Sequence, residues 1–166
     1  NDNWSIIDFD RSEFFNFYID GSSGQLAFST NVGSTIHDMP AGPAINDGNW
    51  HHVAAVYDGA DKILYVDGAE VARTVNAHGG AGLGENITRY GFIGDGSEAD
   101  TFDGNRNNLY YDGQHDEIRL YEGVLSADQI AAEYNNHLNP AAYVTVGSAF
   151  ETNNAGGLLG GMTNGE

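Results

Sequence analysis

The chain has 166 residues, no cysteine, and 24 acidic against six basic side chains, giving a formal charge of −18. That length fits one domain with a sizeable core, and the missing cysteine rules out disulfides and thiolate metal sites. The acid excess disfavours nucleic acid, since nothing offsets phosphate repulsion.

The same carboxylates suit hard cations such as calcium, and they serve solubility in salty water equally well. No apolar run is long enough to span a bilayer, and no stretch has signal-peptide character. With 23 glycines, 11% aromatic residues and one convincing helical segment, the composition predicts an all-β sandwich or barrel.

Asn1 stands where an initiator methionine would, and Trp4 to Asp10 already reads as a strand, so the chain reads as a segment of a longer polypeptide. Arg11-Ser12-Glu13 makes a turn into an aromatic strand from Phe14 to Ile19. Asp20 to Gly24 turns the chain into a strand from Gln25 to Thr30. Asn31 to Asp47 holds Pro40 and Pro43, and is expected to be a surface loop.

The clearest signal is Asn49 to Val75. Its first run alternates Trp50, His52, Ala54 and Val56 against His51, Val53, Ala55 and Tyr57. Its second alternates Ile63, Tyr65 and Asp67 against Leu64 and Val66, and Asp67-Gly68 then reverses the chain into Glu70 to Val75. Alternation broken by Asp-Gly predicts a meander of three antiparallel strands.

Asn76 to Asn86 is a loop, and Thr88 to Ile93 is the next expected strand. Gly94 to Gly113 is a long loop rich in Asp, Asn and Gly, where carboxylates have their best chance of meeting. His115 to Tyr121 reads as a strand with Ile118 and Leu120 inward. Ser126 caps a helix with Gln129 as its reciprocal partner, and Ile130, Ala131 and Tyr134 form a face that can dock on a sheet edge. Tyr143 to Val146 is a final strand. From Ser148 the composition is that of a linker, with Gly-Gly-Leu-Leu-Gly-Gly a candidate start of a neighbouring unit.

The motifs NWHHVAAVYDG, ILYVDGAEV, FIGDG and DEIRLYEGVLSADQIAAEY, in that order, resemble laminin-G-like and pentraxin-like domains of the concanavalin A-like superfamily. The resemblance runs from Trp4 to about Val146, and the ending EYNNHLNPAAYVTVGS is similar to the close of such domains in bacterial surface proteins. It implies a two-sheet antiparallel jelly-roll sandwich with one short C-terminal helix. Residues 1–147 would form the jelly roll and 148–166 a Gly-rich linker or the start of the next unit. Family members carry further strands before the position of Trp4. Their absence predicts an edge beside the first strand that is unpaired, or paired with another chain.

The resemblance also implies calcium, often with carbohydrate bound at one end. Glu98-Ala99-Asp100-Thr101-Phe102 is similar to the pentraxin calcium loop, which makes Glu98 and Asp100 side-chain ligands and Ala99 a carbonyl ligand. Asn107 or Asn108 would match the next ligand, with shorter spacing than the family's. Asp10 corresponds loosely to an early ligand, and Asp103 is a nearby candidate without a family counterpart. Asp, Asn and Gly also favour turns for their own reasons, which gives all of these residues an alternative role. Asp116-Glu117 is expected to be structural. His51 and His52, adjacent on a strand, face opposite sides and cannot share one metal. The remaining histidines form no ligand spacing.

Related jelly-roll glucanases place their carboxylates in an E-x-D-x-x-E pattern. The nearest counterpart, Glu117 to Glu122, has Arg119 where the middle carboxylate must be. No other catalytic motif occurs, so the protein is read as no enzyme. The expected role is a calcium-binding recognition or adhesion module at the cell surface or outside the cell, taking a glycan or a cell-surface protein. Tyr110 and Tyr111 are the candidates to stack on a sugar. The alternative is a structural subunit of a surface protein or filament, self-associating through the open sheet edge, with calcium stiffening its loops.

Overall fold

The computed structural model describes residues 3–84, 87–96, 110–143, 158–159 and 162–163. Strands β1 (Trp4–Asp8), β2 (Phe15–Ile19), β3 (Gln25–Val32), β4 (Thr35–His37), β5 (Pro40–Ala44) and β9 (Phe92–Ile93) form one antiparallel sheet. Strands β6 (Val53–Tyr57), β7 (Lys62–Val66) and β8 (Ala69–Thr74) form a second. Two compact units divide at Asn135. The second, Asn136–Glu166, contains the helical turn α2 (Pro140–Tyr143) and a pairing of β10 (Leu158–Leu159) with β11 (Met162–Thr163).

The two larger sheets pack face to face as a sandwich. Ile7, Phe17, Ile19, Leu26 and Phe28 from the larger sheet meet Leu64 and Val66 from the smaller, with Val53, Ala55 and Tyr57 against them. These are the residues that the period-two pattern assigns to one face. The opposite face of the smaller sheet presents Ile63, Tyr65, Ala54 and Val56 to helix α1 (Ala127–Leu138), whose Ile130 is 1% exposed. Burying that side chain contributes about 2–3 kcal/mol.

The helix begins as its sequence requires. The Gln129 backbone N–H donates to Ser126 Oγ at 3.2 Å, and the Ser126 N–H donates to Gln129 Oε1 at 2.8 Å. The hairpin turn is equally direct. Asp67 and Gly68 both take positive φ, 51° and 76°, the combination that suits a two-residue turn between right-twisted strands.

Strand β1 carries a bulge. Trp4 faces Ile19 and Ser5 faces Tyr18, but Ile7 faces Phe17 and Asp8 faces Asn16, so Ile6 is an extra residue. Trp4, Ile6 and Ile7 therefore all belong to the core, while Ser5 and Asp8 share a polar face with Asn16.

Several expectations need correction. The segment from Asn31 to Asp47 is not a loop throughout: β4 and β5 both pair with β3. Proline tolerates that position because β5 has a ladder partner on one side only. The expected strand from Thr88 shrinks to the two residues of β9. Those residues pair with Ile7 and Asp8, so the chain itself covers the edge beside the first strand that was expected to be open. His115 to Tyr121 forms no strand, and Leu120 is 67% exposed instead of inward. Glu117 has φ of 54°, which breaks an extended run in its middle, and β1 has ladders on both sides. Tyr143 ends a helical turn rather than opening a strand, and residues 144–146 lie outside the described residues.

Candidate functional site

One groove of about 460 Å³ combines aromatic faces with hydrogen-bonding side chains. Ile19 and Ile45 contribute buried apolar surface, Trp4, Trp50 and Tyr111 supply rings, and Asn46, Asn49, Asp112 and Gln114 supply polar groups. Trp50 is 67% exposed at the head of β6. A ring that large left in water gains nothing for folding, whereas a ligand with an apolar face would cover it.

Each wall has a local cause. Asp47 accepts the backbone N–H of Asn49 at 2.9 Å and its side-chain amide at 2.9 Å, a tight turn with Gly48 at φ 84°. These bonds hold the Asp47 carboxyl down at about 2, helped further by His51. The loop is tied to the hairpin through His51, whose Nδ1 lies 2.8 Å from Asp67 Oδ2 and whose Nε2 lies 3.2 Å from Asp47 Oδ1. Burial by itself would push the His51 pKa down, but the bonds to Asp67 and Asp47 outweigh it and raise it. On the other wall the Tyr111 N–H donates to the Gly94 carbonyl at 3.0 Å. The Tyr111 ring packs on His115 with centroids 3.9 Å apart. Burial raises the Tyr111 pKa and lowers that of His115, so both are neutral near pH 7.

Of the residues expected to touch ligand, Tyr111 lines the groove, while Tyr110 is exposed and does not line it. Of the expected calcium ligands, Glu98, Ala99, Asp100, Asp103 and Asn107 lie outside the described residues. Asp10 is described and 2% exposed. Its Oδ1 accepts the Ser12 hydroxyl at 2.6 Å and backbone N–H at 3.0 Å, and its Oδ2 accepts Arg89 Nε at 3.2 Å. Burial would raise its pKa, but the bonds from Glu13, Ser12 and Arg89 together lower it. As placed, Asp10 does not fit calcium, because the Arg89 guanidinium stands where a cation would. Among the described residues, no three carboxylates or histidines gather to hold a metal.

A second polar group lies inside the sandwich. Lys62 is 1% exposed, with Nζ donating to the His37 carbonyl at 2.7 Å and standing 5.3 Å from the Phe28 ring centroid. His37 and His78 rings meet edge to face at 4.4 Å, and His78 Nε2 lies 2.6 Å from Thr30 Oγ1. Burial brings the Lys62 pKa down to about 8, with Asp38 opposing. The pairing of His37 with His78 leaves no sequence signature.

The sequence pattern also gave no notice of Trp50, Trp4 or the amides around them. The available signal was the polar run Asn46-Asp47-Gly48-Asn49 running directly into a tryptophan.

The sandwich and its order of motifs agree with the comparison against protein families. A laminin G-type family model, described as the concanavalin A-like lectin/glucanases superfamily, matches residues 1–131. The chain belongs to this family. Comparison with curated proteins gave no match. Among solved structures, this laminin G-like chain is similar to a domain of an S-layer domain-containing protein from Clostridium thermocellum. The two share 24% identity over 75% of this chain and 58% of that one, with a TM-score of 0.43. The laminin G-like chain thus spans less than two thirds of that neighbour.

Proposed function

We propose that this laminin G-like domain is a non-catalytic recognition module of an extracellular or cell-surface protein, and that it binds glycan in the groove beside Trp50. The observation that carries this reading is the exposed indole set among Trp4, Tyr111 and three amide side chains. Sugars present an apolar ring face and a fringe of hydroxyls that both donate and accept, and this lining matches both. A binding role without catalysis is supported by Glu117, whose Oε2 is 2.5 Å from Arg119 Nη2 at an exposed site. An exposed carboxylate paired with a guanidinium is poorly suited to general acid work.

Calcium belongs to this reading as the family resemblance implies it, held by Glu98, the Ala99 carbonyl, Asp100, Asp103 and Asn107 or Asn108. Its role would be to fix the acidic loop. Calorimetry against a glycan array's best binders, with calcium and with chelator, tests both parts. Saturable binding lost in Trp50→Ala is expected, with Trp50→Ala changing stability by less than about 0.5 kcal/mol because the ring is exposed. Binding that survives Trp50→Ala would sink the groove assignment. Binding indifferent to chelator would remove calcium from it.

A structural role in an assembly is the second reading, favoured by the exposed apolar side chains Ile93, Ile118, Leu120 and Val124. Sedimentation across a concentration series decides it: a monomer throughout, with and without calcium, would end that reading.

A further inference from the structure

We infer that the groove takes an uncharged saccharide and discriminates against acidic ones, with Asp112 as the residue that sets this preference. The inference rests on the groove being the glycan site proposed above.

Among the described residues lining the groove, Asp112 is the one acidic side chain, and neither lysine nor arginine joins it. Asp47 holds the lining residue Asn49 by two hydrogen bonds and so adds a second carboxylate beside it. His51, bonded to that same Asp47, is shared between Asp47 and Asp67, so the trio stays net negative even when the imidazole is protonated. The whole chain adds a charge of −18. Recognition of a carboxylate or sulfate ester calls for guanidinium or ammonium donors, preferably a bidentate arginine. The described lining offers the opposite: Asn46, Asn49 and Gln114, each amide able to donate and accept. Such groups match neutral hydroxyls and N-acetyl groups and give an anion no compensation for lost hydration.

One unit charge a few ångströms from Asp112 at the rim would weaken binding by about tenfold, and salt would relieve the effect because the groove is open to water. A neutral ligand would show no such salt dependence.

The test compares matched ligands on the same protein. Glycan-array binders that depend on Trp50 are identified first. Uronate-containing oligosaccharides and their methyl esters are then measured by calorimetry at low and high salt, on wild type and Asp112→Asn. The expected result is that Trp50-dependent binders are uncharged and that each ester binds about tenfold more tightly than its acid at low salt. Asp112→Asn should close most of that gap, read as the ratio of ester to acid affinity within each protein. A Trp50-dependent ligand that binds more tightly as the acid overturns the charge preference while leaving the groove in place. A gap unchanged in Asp112→Asn overturns the role of Asp112. Absence of any Trp50-dependent binder overturns the groove reading and this inference with it.

Discussion

His51 and Asp67 meet at 2.8 Å across the head of the central hairpin, and the same Asp67 carboxylate accepts the backbone N–H of His52 at 3.0 Å through its other oxygen. Asp67 thus fixes the strand's entry with one oxygen and the imidazole with the other. Because His51 continues to Asp47, the hairpin turn is linked by three side chains to the loop that presents Trp50.

That linkage depends on pH with a definite sign. The folded-state pKa of His51 is raised above 6.5, so its contribution is complete below 6.5 and is lost as pH rises through the raised value. Asp47 is lowered from 3.8 to about 2, so its contribution is present above 3.8 and is lost as pH falls through about 2. Between these limits the clamp is whole. His51→Gln should lower stability by about 1 kcal/mol in that window and by less above it. Melting curves of both proteins across pH, with a histidine NMR titration, check this. A constant difference at every pH would remove the clamp.

Lys62 gives the opposite slope. Its folded value of about 8 lies below the ordinary 10.5, so the fold resists the charged amine. The penalty is fully present below about 8, and stability rises as pH climbs towards 10.5, by about 3 kcal/mol in all. Lys62→Met should abolish the rise. At neutral pH it should gain about 1–2 kcal/mol, since relief of burial is offset in part by the His37 carbonyl losing its donor. Urea unfolding on either side of pH 8 is the measurement, and an unchanged slope in the variant would refute it.

Gly68 couples the hairpin to the helix. A Cβ there would stand 3.0 Å from Tyr134 Cδ1 and 3.2 Å from the Ala131 Cα, at φ of 76°. Gly68→Ala should cost about 2–3 kcal/mol, part from the left-handed backbone and part from displacing the helix. Adding Tyr134→Ala should restore only the side-chain part, because the Ala131 backbone still blocks the methyl group. Full restoration in the double variant would contradict this geometry.

Arg89→Met leaves Asp10 buried beside Glu13 with no cation. The loss should be about 3 kcal/mol near neutral pH. It should shrink as pH falls through the carboxylate range, where Asp10 gains a proton and the lowered native pKa no longer contributes. Acid titration of stability for both proteins reads this directly. Recovery on adding calcium to Arg89→Met would show that Asp10 can serve a metal after all.

Local pattern carried the fold well where local rules decide it. Alternation placed Leu64 and Val66 opposite Ile63 and Tyr65, Asp67-Gly68 placed the turn, and Ser126 with Gln129 placed the helix start. It failed where a long-range partner decides. Pro40 and Pro43 signalled a loop, yet the free side of β3 accepts them as a strand. Ile118 and Leu120 alternate as a strand should, but Glu117 just before them adopts a left-handed backbone and both apolar side chains are exposed. The groove was the least legible feature. Residues 46–50 and 111–114 converge only after the sheets pack, and a tryptophan at a strand head looks in sequence like any core aromatic.

The extra residue in β1 sets the phase of everything before it. Counting back from Ile7 in a regular strand, Trp4 would fall on the side of Ser5's present neighbours, among Asn16 and Asp8. Absorbing Ile6 in a bulge is therefore what keeps the two faces in phase. If all five residues paired regularly, the indole of Trp4 would turn out of the groove and the Ser5 hydroxyl would enter the apolar interior, whereas deleting Ile6 would leave both where they are. The accommodation of one residue that does not line the groove thus decides whether the groove has its second indole, much as a pause in a line of verse keeps the stresses before it in step with those after.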